Sequence, residues 1–146
     1  MHLTLRTHVA QPPVQVMAGF PRELFMQLAP PFPQMRLHRF DGSRRGDQVE
    51  IELVAGPISQ RWTSLITDDG VLPNGTHFFV DEGQQLPGPL RFWRHRHLMQ
   101  PIPDGGTEII DAVEYRTASP VLDALIYPVM WAQFAWRKPI YRRLFR

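Results

Sequence analysis

Two histidines and an aspartate are the residues of this sequence whose types and spacing could do chemistry. His95 and His97 stand two positions apart, and Asp111 lies in the apolar segment that follows. On a β-strand, side chains two residues apart share a face, so both imidazoles would point the same way. An aspartate can orient an imidazole as a general base or acid. Alternatively, buried polar groups of this kind simply satisfy one another's hydrogen bonds.

The same three side chains also offer metal ligands. A His-x-His pair on a strand presents two nitrogens on one face, and Asp111 could add a carboxylate oxygen. The sequence shows no fourth ligand, whereas structural zinc sites almost always have four. We therefore expect neither a metal ion nor another cofactor, and we regard His95 and Asp111 as the candidates for any catalysis.

These residues lie in a segment from Leu90 to Thr117 that predicts two β-strands and a turn. The turn contains residues that favour tight turns, namely Pro101, Pro103, Asp104, Gly105 and Gly106. We expect a register that sets His95 opposite Asp111, and a slip of two residues would make them diagonal neighbours. One face of the hairpin mixes apolar and polar groups: Trp93, His95, His97, Asp111, Val113 and Tyr115. Such a face is typical of a pocket wall.

The rest of the chain supplies the elements that position this hairpin. Residues 2–9 alternate as a first strand, and helical spacing from Val14 to Leu28, interrupted by Pro21, predicts two short helices. Four more strands are predicted at Met35–Asp41, Gln48–Val54, Arg61–Thr67 and Thr76–Glu82, with turns at Asp68-Asp69-Gly70 and Pro73-Asn74-Gly75. After the hairpin, Ser119 and Pro120 are suited to begin a long helix.

This order of elements predicts an α+β fold. The compact arrangement is a seven-stranded curved antiparallel sheet wrapped around the long C-terminal helix, with two short helices between strands 1 and 2. The helix is apolar over more than half its girth up to Trp136, so we expect the rest of the protein to wrap most of it. A single helix cannot fill a curled sheet, and a cavity between helix and sheet should result. Residues 1–146 would form one domain.

Composition excludes several classes of protein. Apolar residues make up 43% and charged residues 21% of the 146 residues, which is typical of a globular domain. A net charge of +2 is too small to indicate nucleic-acid binding. There is no cysteine, so disulfides are excluded and a reducing, cytoplasmic location is expected. No apolar run is long enough for a transmembrane helix, and no leading segment resembles a signal peptide.

Two groups of charged residues are interpreted as solvated. Asp81 and Glu82 end a predicted strand; one of them would face inward if that strand continued, but acidic side chains are mostly exposed. The basic residues near the C-terminus suit the end of a helix, where cations interact favourably with the helix dipole. Contact with a membrane surface or a partner is the alternative. These residues are Arg137, Lys138, Arg142, Arg143 and Arg146.

Several short motifs resemble a known superfamily. The most specific are Trp93-x-His95-x-His97 and Asp111-x-Val113-x-Tyr115. Shorter matches are Pro21-Arg22, Leu28-Ala29-Pro30-Pro31, Arg61-Trp62 with Ser64 and Ile66, Phe79-Val80-Asp81-Glu82, Gly88-Pro89 and Gly106-Thr107. From about Leu3 to the last helix, the chain resembles the SRPBCC superfamily, which includes START domains, birch-pollen-allergen-like proteins and aromatic polyketide cyclases. Within it, the resemblance is to a bacterial branch of ligand-binding proteins.

The resemblance implies the helix-grip fold and a hydrophobic cavity between the sheet and the C-terminal helix. The expected partner is a hydrophobic or amphipathic small molecule, lipid-like or aromatic and polyketide-like, and a homodimer stays open as the oligomeric state. The alternative is a cyclase- or dehydratase-like enzyme, a lyase, that uses His95 and Asp111 as general acid and base. The expected ligand contacts are Trp62, Phe79, Trp93, His95, His97, Asp111, Val113, Tyr115, Met130 and Phe134.

Overall fold

The computed structural model describes residues 1–146, which form one antiparallel sheet of seven strands and four helices. The strands are β1 (His2–Val9), β2 (Gln34–Phe40), β3 (Gln48–Ala55), β4 (Ile58–Val71), β5 (His77–Gln85), β6 (Leu90–Pro101) and β7 (Thr107–Thr117). Their order across the sheet is β1-β7-β6-β5-β4-β3-β2, so β1 and β2 are the edge strands. The predicted fold class and all seven predicted strands are confirmed. Strands β2 to β7 follow one another as antiparallel neighbours.

β4 is longer than the sequence predicts, because residues 68–70 continue the strand. The predicted turn at Asp68-Asp69-Gly70 is therefore wrong. β4 pairs with β5 as far as Val71 opposite His77, and a register irregularity between Ile66 and Asp68 accommodates the extra residue. Ladder hydrogen bonds thus outweigh the local turn preference. The chain reverses at the next predicted turn, where the Gly75 N–H donates to the Leu72 carbonyl over 2.9 Å.

The helices flank the sheet as predicted, two short ones early in the chain and a long helical segment at its end. They are α1 (Pro13–Ala18), α2 (Arg22–Gln27), α3 (Pro120–Ala135) and α4 (Arg137–Leu144). Ser119 caps α3, since its hydroxyl accepts a hydrogen bond from the Val121 N–H at 3.2 Å. Trp136, between α3 and α4, has helical dihedral angles (φ −55°, ψ −30°), so the two helices run on from one another.

The outward face of α3 is exposed, whereas the sequence predicts that the protein wraps most of this helix. Met130 and Phe134 are buried against the sheet, but Val121 and Leu125 on the other face are each 69% exposed. The physical reason is that α3 lies against β7 and β1, on one side of the curved sheet, and no further element covers its back. Neither α3 nor any other helix is long and apolar enough to cross a membrane.

The buried apolar side chains form two clusters. One, at the α1, α2 and α4 end, includes Val16, Met99 and Tyr141. The other, beneath α3, includes Leu3, Tyr115 and Phe134. Rings from both clusters meet the two imidazoles: Phe79 of the first cluster stacks on His97, and Phe134 of the second packs edge-on against His95. The polar groups of the predicted hairpin therefore lie at the seam between two apolar clusters.

Candidate functional site

The register of the β6–β7 hairpin differs by two residues from the expected one. His95 is opposite Val113, and His97 is opposite Asp111. His95 nevertheless reaches Asp111 diagonally, because its Nε2 lies 2.8 Å from the carboxylate Oδ1. The expected pairing is thus wrong in register, while the predicted His95–Asp111 contact is present. Diagonal cross-strand neighbours are close enough for ring side chains to interact.

The His95–Asp111 pair is buried and hydrogen-bonded. The two side chains are only 3% and 4% exposed. Burial by itself would raise the pKa of Asp111, but the hydrogen bond from His95 and the nearby basic side chains of His95 and Arg137 outweigh it and lower the pKa. Asp111 therefore stays ionised and accepts the Nε2 proton of His95. This leaves Nδ1 of a neutral His95 without a proton.

Asp81 belongs to the same cluster, which corrects the expectation that it is solvated. It lies opposite His95 on β5. One of its oxygens accepts a hydrogen bond from His97 Nε2 at 2.8 Å, the other accepts one from Trp93 Nε1 at 3.1 Å, and His95 Nδ1 is 3.6 Å away. Burial tends to raise the pKa of Asp81, but the His97 hydrogen bond and the nearby imidazoles outweigh this and lower it. Strand alternation was the available signal, since Asp81 shares a face with Phe79.

His97 is buried in a neutral form. Burial, followed by the proximity of His95, lowers the pKa of His97 from 6.5 to about 4 despite the neighbouring carboxylates. Its ring stacks on Phe79 with centroids 4.0 Å apart and lies 3.6 Å from the His95 ring. While Nε2 is bonded to Asp81, the Nδ1 atom is buried without a hydrogen-bond partner. The nearest carboxylate oxygen to this nitrogen, Oδ1 of Asp111, is 3.9 Å away.

Arg137 and Tyr141 of α4 complete the cluster, and the sequence reasoning assigned neither to the site. The Arg137 side chain is only 18% exposed, with Nη1 3.7 Å from Asp111 Oδ1 and the guanidinium 4.5 Å above the Phe134 ring. The interpretation of Arg137 as part of a solvated helix end is therefore wrong. The Tyr141 hydroxyl is buried beside Asp111 and Arg137 without a hydrogen bond of good geometry, and burial raises its pKa. Only the packing of α4 on the sheet brings these two residues to the hairpin.

A cavity of about 460 Å³ opens from this cluster between the sheet and α3. Its walls are mainly apolar and come from α2, strands β2 to β4 and the sheet-facing side of α3; they include Leu28, Val49, Ile51, Leu53 and Ile126. Asp81, His95, His97 and Arg137 lie at its polar end. The exposed side chains of Ile58 and Val129 form part of the wall, so the cavity reaches the surface there.

Seven of the ten predicted contact residues line this cavity: Trp62, Phe79, Trp93, His95, His97, Met130 and Phe134. Asp111 is behind His95, away from the cavity surface. Val113 and Tyr115 do not line it either, because β7 lies directly under α3. Tyr115 is fully buried there and donates a hydrogen bond from its hydroxyl to the Asp123 carbonyl at 2.8 Å.

Comparison with known proteins shows similarity in structure only. A scan against protein-family models finds no match, and a search of curated proteins finds no significant one. The Zhui aromatase/cyclase from Streptomyces sp. R1128 aligns over 100% of this chain and 96% of its own, with 13% identity and a TM-score of 0.64. Truncated norcoclaurine synthase from Thalictrum flavum aligns over 92% of this chain and 88% of its own, with 13% identity and a TM-score of 0.62. The lipid transfer and protein localization domain of human StarD13 aligns over 94% of this chain and 75% of its own, with 17% identity and a TM-score of 0.61.

The chain has the helix-grip fold, the architecture that it shares with these solved structures. This agrees with the resemblance of the sequence motifs and with the curved sheet and C-terminal helix described above. The likeness shows the architecture, and the chemistry of a helix-grip cavity depends on the residues that line it. In this chain the cavity has apolar walls and one polar end. That arrangement can hold an apolar body and orient one polar group by hydrogen bonds.

Proposed function

We propose that this protein binds a hydrophobic or amphipathic small molecule in the helix-grip cavity. The observation that carries the proposal is the cavity of about 460 Å³, with apolar walls and a single polar cluster at one end. Ligand sites of small organic molecules typically span about 300–1,000 Å³ and have this distribution of polarity. Burying the apolar body of a ligand would contribute about 25 cal/mol per Å² of apolar surface removed from water.

The polar end indicates which part of a ligand it would recognise. Arg137 is a hydrogen-bond donor, and a neutral His95 offers the acceptor Nδ1. A hydroxyl, carbonyl or phenol group at one end of an otherwise apolar molecule would match these groups. Lipid-like and aromatic or polyketide-like molecules both fit this description. The similar structures support the range, since one is described as an aromatase/cyclase and another as a lipid transfer domain.

Native mass spectrometry of the protein purified from its own host tests the proposal, with Ile51→Trp as the matched variant. Ile51 lines the cavity, and a tryptophan there would occupy part of it. Val71→Trp is the control, because Val71 is 58% exposed and outside the cavity. We expect a bound small molecule in wild type and control, and at least tenfold less in Ile51→Trp. Equal occupancy in all three proteins, or no binding of lipids and hydrophobic dyes by wild type, would refute the proposal.

The second candidate function is a cyclase- or dehydratase-like reaction. The observation that favours it is the orientation of His95, whose Nε2 is held by Asp111 while the ring lines the cavity. The Nδ1 lone pair could then remove a proton from an enolisable carbon of a bound polyketide, and the resulting imidazolium could return it to a departing hydroxyl as water leaves. Turnover of poly-β-keto substrates should disappear in His95→Ala. Equal rates in wild type and variant would reject this candidate.

We further propose a cytoplasmic location. Whether the chain forms a homodimer is a separate question for experiment. A reducing compartment suits a chain without cysteine. Fractionation of the native host, followed by detection of the protein with an antibody, measures the location. Sedimentation equilibrium measures whether the chain is a monomer or a dimer in solution. Recovery in a secreted fraction would contradict the proposed location, and a monomer at all concentrations would exclude the homodimer.

A further inference from the structure

Asp81, His95 and His97 bring one carboxylate oxygen and two imidazole nitrogens together at the polar end of the cavity. Asp81 Oδ2 is 2.8 Å from His97 Nε2 and 3.6 Å from His95 Nδ1. One ligand atom from each of the three residues can be chosen so that all lie within 4.8 Å of one another. A tetrahedral transition metal at about 2.0–2.2 Å from its N and O ligands keeps those ligands roughly 3.3–3.6 Å apart. The two distances from Asp81 Oδ2, 2.8 and 3.6 Å, are near this range.

The hydrogen bonding of the cluster is incomplete in a way that a cation would resolve. Since Asp111 takes the Nε2 proton of His95, the unprotonated Nδ1 of a neutral ring lies 3.6 Å from the Asp81 carboxylate. Similarly, His97 donates from Nε2 to Asp81, and its Nδ1 is left buried without a partner, 3.9 Å from Asp111. Two unprotonated nitrogens therefore lie near carboxylate oxygens, which is unfavourable in a buried site.

We propose that Asp81 Oδ2, His95 Nδ1 and His97 Nε2 bind a divalent transition-metal ion. The ion would replace the proton between His97 and Asp81, and that proton would occupy His97 Nδ1, where it faces Asp111. Asp111 would then keep its hydrogen bond from His95 Nε2, and the new His97 Nδ1–H would lie 3.9 Å from its carboxylate. Carboxylates that hold the second nitrogen of a histidine ligand in this way are a recurrent feature of metal sites. The sequence had suggested Asp111 itself as a ligand, and the structure places Asp81 in that position instead.

The charge and position of the cluster agree with this proposal. The cluster contains two carboxylates, Asp81 and Asp111, and one guanidinium, that of Arg137, which lies 3.7 Å from Asp111; it therefore has an excess negative charge when both imidazoles are neutral. Two nitrogens and one oxygen are a donor set that suits zinc, iron(II), cobalt(II) and nickel(II). Because the three ligands line the cavity, the remaining coordination positions would face it. An oxygen atom of a bound organic molecule could occupy one of them.

The site goes beyond small-molecule binding and can be tested separately from it. Untagged protein, dialysed against a chelator, is titrated with Co²⁺ and followed by visible absorption, and Zn²⁺ binding is measured by calorimetry. We expect one ion per chain. Asp81→Asn should weaken binding at least tenfold, and Asp111→Asn about 10–100-fold. Glu82→Gln is the matched control, since Glu82 is adjacent to Asp81 but pairs with Arg94 on the outer face; it should bind like wild type.

Two outcomes would overturn the proposal: wild-type protein that binds neither ion, or Asp81→Asn that binds as tightly as wild type. The titration of wild type decides the matter even if a variant fails to fold. Ile51→Trp separates this site from the organic ligand, because it narrows the cavity away from the three ligands. It should retain metal binding while it loses the small molecule. Loss of the metal alone, with the small molecule retained, would leave the function proposed above intact.

Discussion

The buried His97 makes the stability of the fold depend on pH. Burial lowers the pKa of His97 from 6.5 to about 4, so between these values the unfolded chain carries a proton that the folded protein does not. The free energy of unfolding therefore falls as the pH decreases from 6.5 towards 4. Above pH 6.5 the residue is neutral in both states and contributes no slope.

The size of the effect follows from the two pKa values. At about 1.4 kcal/mol per pKa unit, the gap between 6.5 and about 4 corresponds to about 3 kcal/mol over the whole window. This is a substantial part of the 5–15 kcal/mol that is typical of a domain. Asp81 and Asp111 affect the free energy of unfolding at lower pH than His97 does, because their pKa values are depressed. Their stabilising contribution is present above the usual carboxyl pKa and is lost only as the pH falls further.

Urea denaturation at pH 7 and at pH 4.5, in wild type and His97→Gln, measures this contribution. Glutamine keeps an N–H that can reach Asp81 but does not titrate. We expect wild type to lose about 2 kcal/mol more stability than the variant on acidification. His8→Gln is the control for the substitution itself, because His8 is on the surface with 68% of its side chain exposed. Equal losses in wild type and His97→Gln would refute the argument that His97 is buried neutral.

Three further predictions concern packing. Tyr141→Phe removes a buried hydroxyl that makes no hydrogen bond of good geometry to its neighbours Asp111 and Arg137. Thermal denaturation should therefore show unchanged or slightly higher stability, and a loss above about 1 kcal/mol would contradict this. Leu125→Ser on the exposed face of α3 should change the free energy of unfolding by under about 0.5 kcal/mol. Met130→Ala on the buried face should lower the free energy of unfolding by about 2–5 kcal/mol. Similar losses for the two variants would show that the exposed face is covered. Gly106→Ala should destabilise by about 1–3 kcal/mol in urea, because the new methyl group would meet the Val9 carbonyl, and a neutral result would exclude that contact.

The faces of the β6–β7 hairpin could be predicted from the sequence because strand alternation is a local property of the backbone. Trp93, His95 and His97 on one strand and Asp111 on the other face inward as that periodicity requires. The beginning of α3 was equally predictable, since Ser119 satisfies a local N–H at the first turn. The element order, read with these patterns, was sufficient for the helix-grip architecture.

The register of the hairpin, by contrast, was decided by the pairing of whole strands. A shift of two residues keeps every side chain on its face, so the inward pattern cannot distinguish one register from the next. His95 still meets Asp111 because diagonal neighbours remain within reach.

What only the tertiary structure decided is the composition of the polar cluster. Asp81 enters it because β5 pairs with β6, and Arg137 because α4 continues from α3 across the sheet. These contacts join residues distant in the chain, whose meeting depends on strand order and helix packing. The sequence by itself determined an inward face with two imidazoles and a carboxylate. The fold added a second carboxylate, a guanidinium and a cavity beside them, because one helix cannot fill a curved seven-stranded sheet.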